Sequence, residues 1–337
     1  MRVGIIGCGK QAPKHVAGWR QNGVEEISVS DAFPAAIEAL VACDGALRGV
    51  SNVEHLLADP DIQAVNICTP TPTHGELIKD AIAAGKHVFC EKPLCESSEE
   101  ARDLRARVAA AEVTVMVGYI YRFVPALERA KEFLGNSSGP LGKPVSAILR
   151  LGGRGGHQLW KHRKDTGGGA INEMLVHMMD LALWYFDDGV DRVDFEVLRC
   201  DLLRPERPIQ GTVERVDAED YVAVRGRIGG CEVLLQADLV SPAFTQTVEI
   251  HGETGSFSGS IVADHPSYIF SERDWSGGAK GKTTMSFGHE DLFGRQLGAF
   301  QRAIETGKAP DRNTIDDSVR LMMAMEQVRE QTESLEV

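Results

Sequence analysis

The sequence predicts an α/β protein in two parts: a doubly wound parallel sheet, then a domain built on an antiparallel sheet with one face covered. Three observations predict it. Short β-rich runs alternate with longer helical stretches over the first 120 residues, the order that produces a parallel sheet. Beyond that point the strands alternate polar and apolar residues, as half-buried antiparallel strands do. A chain of 337 residues also holds about two domains' worth of sequence. The domains are expected at 1–120 and 121–337, with the C-terminal helices able to pack back on the first.

Taken in order, Arg2–Ile6 reads as a strand, Lys14–Asn22 as a helix, and Glu26–Ser30 as a strand ending at Asp31. Phe33–Cys43 and Val53–Leu57 follow as helices. Ala64–Cys68 is a continuous apolar run, the pattern of a strand buried on both faces. Gly75–Ala84 is a helix stopped by Gly85, and His87–Cys90 a further strand. Ser97, Ser98 and Glu100 suit the N-terminal cap of a helix over Ser97–Ala111. Thr114–Val117 completes the sheet. After it come a helix at Pro125–Leu134, a strand at Val145–Leu151, and two strands, Tyr221–Ile228 and Glu232–Leu239. Gly229-Gly230 between that pair signals a two-residue hairpin. Gln246–His251 continues the sheet, and Asp291–Glu305 and Asp316–Gln331 end the chain as helices.

Composition narrows the class. Hydrophobic residues at 43% and charged residues at 25% are ordinary for a globular protein and exclude wholesale disorder, a collagen-like fibre or a small disulfide scaffold. The net charge of −13 repels phosphate backbones, so nucleic acid is not an expected partner. Seven cysteines, an odd number without a C-x-x-C pair, read as buried thiols in a reducing compartment. The histidines are scattered and no H-E-x-x-H occurs, so no metal site is expected. No apolar stretch approaches the roughly 18 residues of a membrane span, and Arg2-Val3-Gly4-Ile5-Ile6 opens as a strand rather than a signal peptide. A cytoplasmic protein with no membrane partner is the expectation.

The first strand runs straight into Gly7-Cys8-Gly9-Lys10-Gln11-Ala12, which fits G-x-G-x-x-G/A. In that pattern the first glycine permits the turn, the second lets a pyrophosphate approach the backbone, and the small third residue packs helix on strand. Gly7, Gly9, Lys10 and Gln11 are therefore cofactor-binding candidates, with the phosphates at the helix N-terminus. Asp31, about 20 residues further on, is placed to accept hydrogen bonds from the adenosine ribose and to repel a 2′-phosphate. Ala32 and Phe33 supply no cation to offset that repulsion. The expected cofactor is NAD, with NADP less favoured.

Four further motifs carry a family resemblance. Gly85-Lys86-His87-Val88-Phe89-Cys90-Glu91-Lys92-Pro93 resembles the G-K-H-V-x-x-E-K-P block of the Gfo/Idh/MocA oxidoreductases. Thr69-Pro70 with His74, Tyr121-Arg122-Phe123-Val124-Pro125, and Gly167-Gly168-Gly169 leading to Glu173, His177 and Asp180 resemble that family's later motifs in the same order. The resemblance implies an N-terminal Rossmann domain that binds the dinucleotide. It also implies a C-terminal α/β domain, built on an open, mostly antiparallel sheet, for substrate binding and oligomerisation as a homodimer or homotetramer. It implies hydride transfer between nicotinamide and a sugar or polyol carbon, a cis Lys92-Pro93 bond, and Thr69, His74, Glu91 and Lys92 near the cofactor.

Oxidising an alcohol needs a base for the hydroxyl proton. Lys92 lies just beyond a parallel strand's C-terminal end, where open α/β sheets place ligands. Glu173 and His177 stand at i and i+4, on one face if Ala170–Trp184 is helical. The catalytic candidates are thus Lys92, His177 and Glu173, with Glu173 orienting the imidazole or meeting a substrate hydroxyl. Asp180 reads as structural. Arg154, Trp160 and Arg163 lie in a cation-rich stretch that could recognise a carboxylate or diphosphate, Arg by bidentate contact and Trp160 by stacking. The same stretch also suits a solvated or intersubunit loop. Tyr121 and Arg122 complete the substrate-binding candidates. The expected substrate is a sugar, nucleotide-sugar or polyol. Two alternatives are a redox-neutral NAD-dependent glycosidase or lyase and a non-catalytic NAD-binding sensor.

Overall fold

The computed structural model describes residues 1–134, 138–153, 158–186, 193–262, 265–288 and 290–335. The chain forms two compact units, one of Met1–Ile120 with Glu290–Met322 and one of Tyr121–His289 with Met323–Val337.

The first unit alternates β1 (Val3–Ile6), α1 (Ala12–Gln21), β2 (Ile27–Ser30), α2 (Pro34–Cys43), β3 (Leu47–Gly49), α3 (Val53–Ala58) and β4 (Ala64–Ile67). It continues with α4 (His74–Ala83), β5 (His87–Cys90), α5 (Ser98–Ala110) and β6 (Val115–Val117). All six strands are parallel, in the order β3-β2-β1-β4-β5-β6. Every residue of β1, β2 and β4 is buried, Ser28, Ser30 and Asn66 included, as in a parallel sheet covered on both faces. Ser97 caps α5 through its hydroxyl, which accepts from the Glu100 N–H at 3.2 Å. Gly85 ends α4 at a φ of +69°, a conformation that favours glycine. Lys86, in the strand-entry motif, is buried and donates to the Asp59 and Ile62 carbonyls at 2.7 and 2.8 Å. It thereby supplies cationic donors near the C-terminal end of α3.

The second unit holds α6 (Pro125–Leu134), β7 (Pro144–Gly152), a π-helical turn at Ile171–Leu175, α7 (Val176–Phe186), β8 (Asp194–Asp201), β9 (Glu206–Ile209) and β10 (Thr212–Arg215). Then come β11 (Tyr221–Ile228), β12 (Cys231–Asp238), β13 (Thr245–Gly252), β14 (Gly255–Gly259), β15 (Ser267–Ser271) and β16 (Gly281–Met285). Its sheet has eight strands in the order β16-β15-β14-β13-β7-β12-β11-β8. β12 and β7 run parallel, and the other neighbours are antiparallel. The β11–β12 turn has positive φ at both Gly229 and Gly230, 54° and 80°, the requirement of a type I′ hairpin. Of the closing helices, α8 (Leu292–Thr306) lies within the first unit, and α9 (Ile315–Leu335) carries residues of both.

The sequence reading differs from the structure in several elements, and β8, β15 and β16 are missing from it. β3 is missing as well, because Leu47-Arg48-Gly49 has a single buried apolar residue, whereas the equally short β6 is apolar throughout. The β9–β10 hairpin is also absent, since its turn uses Gln210 at φ 52° before Gly211, a residue without a turn signature. The single helix expected over Ala170–Trp184 opens instead as the π turn. Of the cysteines, Cys90, Cys95 and Cys231 are buried, whereas Cys43 is exposed and Cys8, Cys68 and Cys200 are half-buried; all seven are reduced thiols.

Candidate active site

In the first unit the fingerprint turn is shaped by its neighbours. Gly7 has a φ of +98°, and a Cβ there would lie 2.8–2.9 Å from backbone atoms of Cys68 and Thr69. A side chain is therefore excluded on both counts. A Cβ on Gly9 would meet nothing within 4 Å, which leaves the backbone open to a ligand. Ala12 is fully buried at the start of α1. No side chain caps α1, whose N-cap is Gln11; the Ala12 N–H donates to the Gly9 carbonyl at 3.1 Å and the Lys14 N–H to the Gln11 carbonyl at 2.9 Å, and Pro13 has none. The Gln11 Oε1 atom is buried without a partner, while Lys10 is exposed. These features fit a dinucleotide pyrophosphate at the turn.

Asp31 ends β2 as expected and also staples the turn. Its Oδ2 accepts from the Cys8 N–H at 2.7 Å and its Oδ1 from the Phe33 N–H at 2.9 Å. One bond per oxygen leaves each with further acceptor capacity, which suits ribose hydroxyls. Burial, with the Asp31 charge adding to it, pushes the Cys8 thiol up to about 12. Burial likewise raises Cys68, at the end of β4, well above the ordinary thiol range. Thiols so placed resist ionisation and are poor nucleophiles.

Thr69 and the Lys92 segment are tied together by His74. Its Nδ1 lies 2.8 Å from the Pro93 carbonyl oxygen and its Nε2 2.9 Å from that of Thr69. Burial lowers the proton affinity of this ring, although both carbonyls pull the other way. The ring is 1% exposed, so it organises the ends of two strands and offers little surface of its own. The Lys92-Pro93 bond is cis, as the resemblance implies. Glu91 Oε2 accepts from the Lys92 N–H at 3.3 Å, and Glu91 Oε1 lies 2.7 Å from His15 Nε2. Burial opposes charge on Glu91, but the His15 hydrogen bond and the positive charges of His15 and Lys92 hold its carboxyl below the ordinary range.

In the second unit the glycine triplet leads into the π turn. Gly169 has a φ of +105°, and a Cβ there would sit 2.3 Å from the Glu219 carboxylate. The Glu219 carbonyl accepts from the Ala170 N–H at 2.9 Å and its Oε1 from the Ile171 N–H at 3.0 Å. Burial raises the Glu219 carboxyl above its usual range. Glu173 lies within this wide turn and His177 in the first turn of α7. The π geometry, often found at functional sites, thus falls between the triplet and the imidazole. Glu173 forms an ion pair with Lys161, and the His177 ring lies 4.6 Å from the Tyr121 ring, centroid to centroid, tilted by 37°. Burial raises the Tyr121 phenol, which keeps it protonated as a donor.

Arg122 is 1% exposed and forks onto the equally buried Asp180, with Nη2 2.7 Å from Oδ1 and Nε 3.0 Å from Oδ2. Trp160 is partly exposed, with Lys161 Nζ 5.0 Å from its ring centre. Arg163 stands 3.5 Å from Asp165 and 3.7 Å from Asp217. Arg154 lies outside the described residues. His15 and Glu219 escaped sequence reasoning. Their partners lie 76 and 48 residues away in the chain, and neither belongs to a local motif.

A parallel sheet of this strand order, with a glycine turn after β1 and an acid ending β2, defines a dinucleotide-binding fold. Residues 1–119 match the family model described as "Oxidoreductase family, NAD-binding Rossmann fold", and residues 128–258 match the GFO/IDH/MocA C-terminal domain. The chain belongs to the Gfo/Idh/MocA family of NAD-binding oxidoreductases. It is similar to the inositol 2-dehydrogenase of Rhizobium meliloti, 26% identical over 100% of this chain and 98% of the relative. It is also similar to the 1,5-anhydro-D-fructose reductase of Ensifer adhaerens, 29% identical over 94% and 92%. Among solved structures, a levoglucosan dehydrogenase in complex with NADH and L-sorbose shares the fold. Its TM-score is 0.85 at 22% identity, covering 99% of this chain and 97% of that one. No helix among the described residues is long and apolar enough to cross a membrane.

Proposed function

We propose that this protein is an NAD-dependent dehydrogenase of a cyclic sugar or polyol, working as a homo-oligomer, and that Lys92 and His177 handle the proton of the reacting hydroxyl. The observation that carries the reading is the fingerprint turn with Asp31 in the same unit as the Glu91-Lys92-Pro93 segment, whose backbone is fixed by Glu91 and His74. Bound NAD supplies the hydride acceptor. The chain's residues must then orient the hydroxyl and take its proton. Lys92, beyond the C-terminal end of β5, supplies the ammonium or amine. His177 supplies a second proton carrier, its ring held against Tyr121. Glu173 holds Lys161 and can accept from a substrate hydroxyl.

The named relatives act on inositol and anhydrofructose, which supports a polyol. The cation-rich stretch pointed to an anionic substrate. Lys161 and Arg163 stand beside Glu173, Asp165 and Asp217, however, and neutralised cations hold an anion poorly. An uncharged cyclic polyol is the favoured substrate, and an anionic sugar is the second choice.

The test is a panel of myo-inositol, levoglucosan, aldoses and UDP-sugars with NAD⁺ and NADP⁺, followed by reduced-nicotinamide absorbance with product analysis. Net NADH formation with a cyclic polyol is expected. Lys92→Ala and His177→Ala should each lower kcat by about 10²–10⁴ while NADH binding persists. Near-normal turnover in both variants overturns the roles, and product formation without net NADH overturns the net oxidation.

A further inference from the structure

We infer that His15, on the helix that receives the dinucleotide phosphates, is a positioning residue that fixes Glu91 and, through it, the backbone of Lys92. The inference rests on the proposed role of Lys92.

His15 is the fourth residue of α1 and is 0% exposed. Its ring is held from two sides, by Phe89 with centroids 5.7 Å apart and by Phe293 at 5.0 Å in a near-perpendicular arrangement. Nε2 lies 2.7 Å from Glu91 Oε1, whereas Nδ1 is buried without a hydrogen-bond partner. Leaving a buried ring nitrogen unmatched is costly. Filling the space between two phenyl rings would be done better by an apolar side chain. What the histidine adds is a directed hydrogen bond to one carboxylate oxygen. The other oxygen of that carboxylate accepts from the Lys92 N–H at 3.3 Å. Glu91 itself is pinned to the sheet, its N–H donating to the Ile67 carbonyl at 2.9 Å.

The path therefore runs from α1 through the imidazole and the carboxylate to the peptide of Lys92. It lies wholly within the first unit. Helix α1 begins at the fingerprint turn that would hold the pyrophosphate, so the element that would locate the cofactor also locates the segment that carries the lysine. A rigid link of this kind serves hydride transfer, because reactant alignment is lost with small displacements. His74 supports the same segment by a separate route, at the Pro93 carbonyl.

The experiment compares the full-length NADH-bound protein with His15→Ala, His15→Gln, Glu91→Gln and the double variant His15→Ala/Glu91→Gln. Amide exchange at Lys92, read by NMR, needs no substrate. NADH affinity is read by fluorescence titration, and kcat and KM with the polyol that the wild type oxidises best. His15→Ala should speed Lys92 exchange by at least about tenfold with NADH Kd within about threefold. It should lower kcat about tenfold or more with KM little changed. His15→Gln, whose amide can still donate to Glu91, should recover most of both. In the Glu91→Gln background the His15→Ala change should add little, since linked residues are non-additive. Unchanged exchange in His15→Ala overturns the inference. So does a loss of turnover that saturating cofactor restores. If His15→Ala does not fold, His15→Asn, too short to span the gap, takes its place under the same criteria. Full turnover in Lys92→Ala with the exchange result intact would defeat the proton role of Lys92 and leave the His15 link standing.

Discussion

Asp31 combines two demands that usually fall on different residues. Its oxygens hold the fingerprint turn through Cys8 and end the β2 strand through Phe33, and its remaining lone pairs keep the capacity to accept from ribose hydroxyls. A hydrogen bond to a charged acceptor contributes about 1.5–3 kcal/mol, so losing ribose bonds should weaken NAD binding by about 10–100-fold. Asp31→Ser removes the carboxylate that repels a 2′-phosphate while keeping a short acceptor near Cys8. Titration with NADH and NADPH should show NADH affinity falling by that factor and the preference over NADPH narrowing. An unchanged ratio of the two affinities would remove Asp31 from cofactor selection. This residue was legible from sequence because its place is fixed locally, by the strand end and its spacing from the glycines. His15 was not, because its meaning depends on a carboxylate that only the folded sheet brings to it.

The π turn is the element in which sequence and structure part most. The sequence reading expects a single helix over Ala170–Trp184, and nothing in Ile171–Leu175 announces a wider turn. The cause lies downstream in Glu219, whose main-chain and side-chain oxygens satisfy the Ala170 and Ile171 N–H groups. Gly169 has to be glycine because that carboxylate occupies the space of a Cβ. Burial keeps the Glu219 carboxyl above its ordinary range, against the opposing effects of its hydrogen bonds and of Lys164 and Arg329. A carboxyl raised in the folded state binds its proton more readily there than in the unfolded chain. Its contribution to stability is therefore full at pH below the unfolded carboxyl range and declines as pH rises through the raised value. Glu219→Gln keeps an acceptor for Ile171 and removes the ionisation. Its melting temperature relative to wild type should therefore rise between pH 4 and pH 8, by on the order of 2 °C. A difference that is flat or falls with pH would show that ionised Glu219 is not penalised by its surroundings.

At the scale of the whole molecule, the sequence reading recovers the architecture because strand burial leaves a periodic trace. β1 reads as an unbroken apolar run and β4 as one broken only by Asn66, and β11 and β12 as alternating ones. The same alternation identifies what the second sheet leaves uncovered. The inward residues of β7 and β12 include Ala147, Leu149, Val233 and Leu235, all buried, while Ile148 and Leu234 face outward at 41% and 37% exposed. Ile148 and Leu234 are register partners on adjacent strands, with Leu198 on β8 and Phe270 on β15 also exposed. The adjacent Ile148 and Leu234 are a contiguous apolar pair on an exposed sheet face, the place where the proposed homo-oligomer would associate. A stable pair of chains needs about 1,200–2,000 Å² of buried surface, an area that an eight-stranded sheet can supply. A carboxylate forced into such a surface loses hydration without gaining a partner, at a cost of several kcal/mol. The wild type should therefore sediment as a dimer or tetramer, and Ile148→Asp/Leu234→Asp should sediment as a monomer that still binds NADH through the first unit. A monomeric wild type, or a double variant with unchanged mass, would place the association surface elsewhere or remove it.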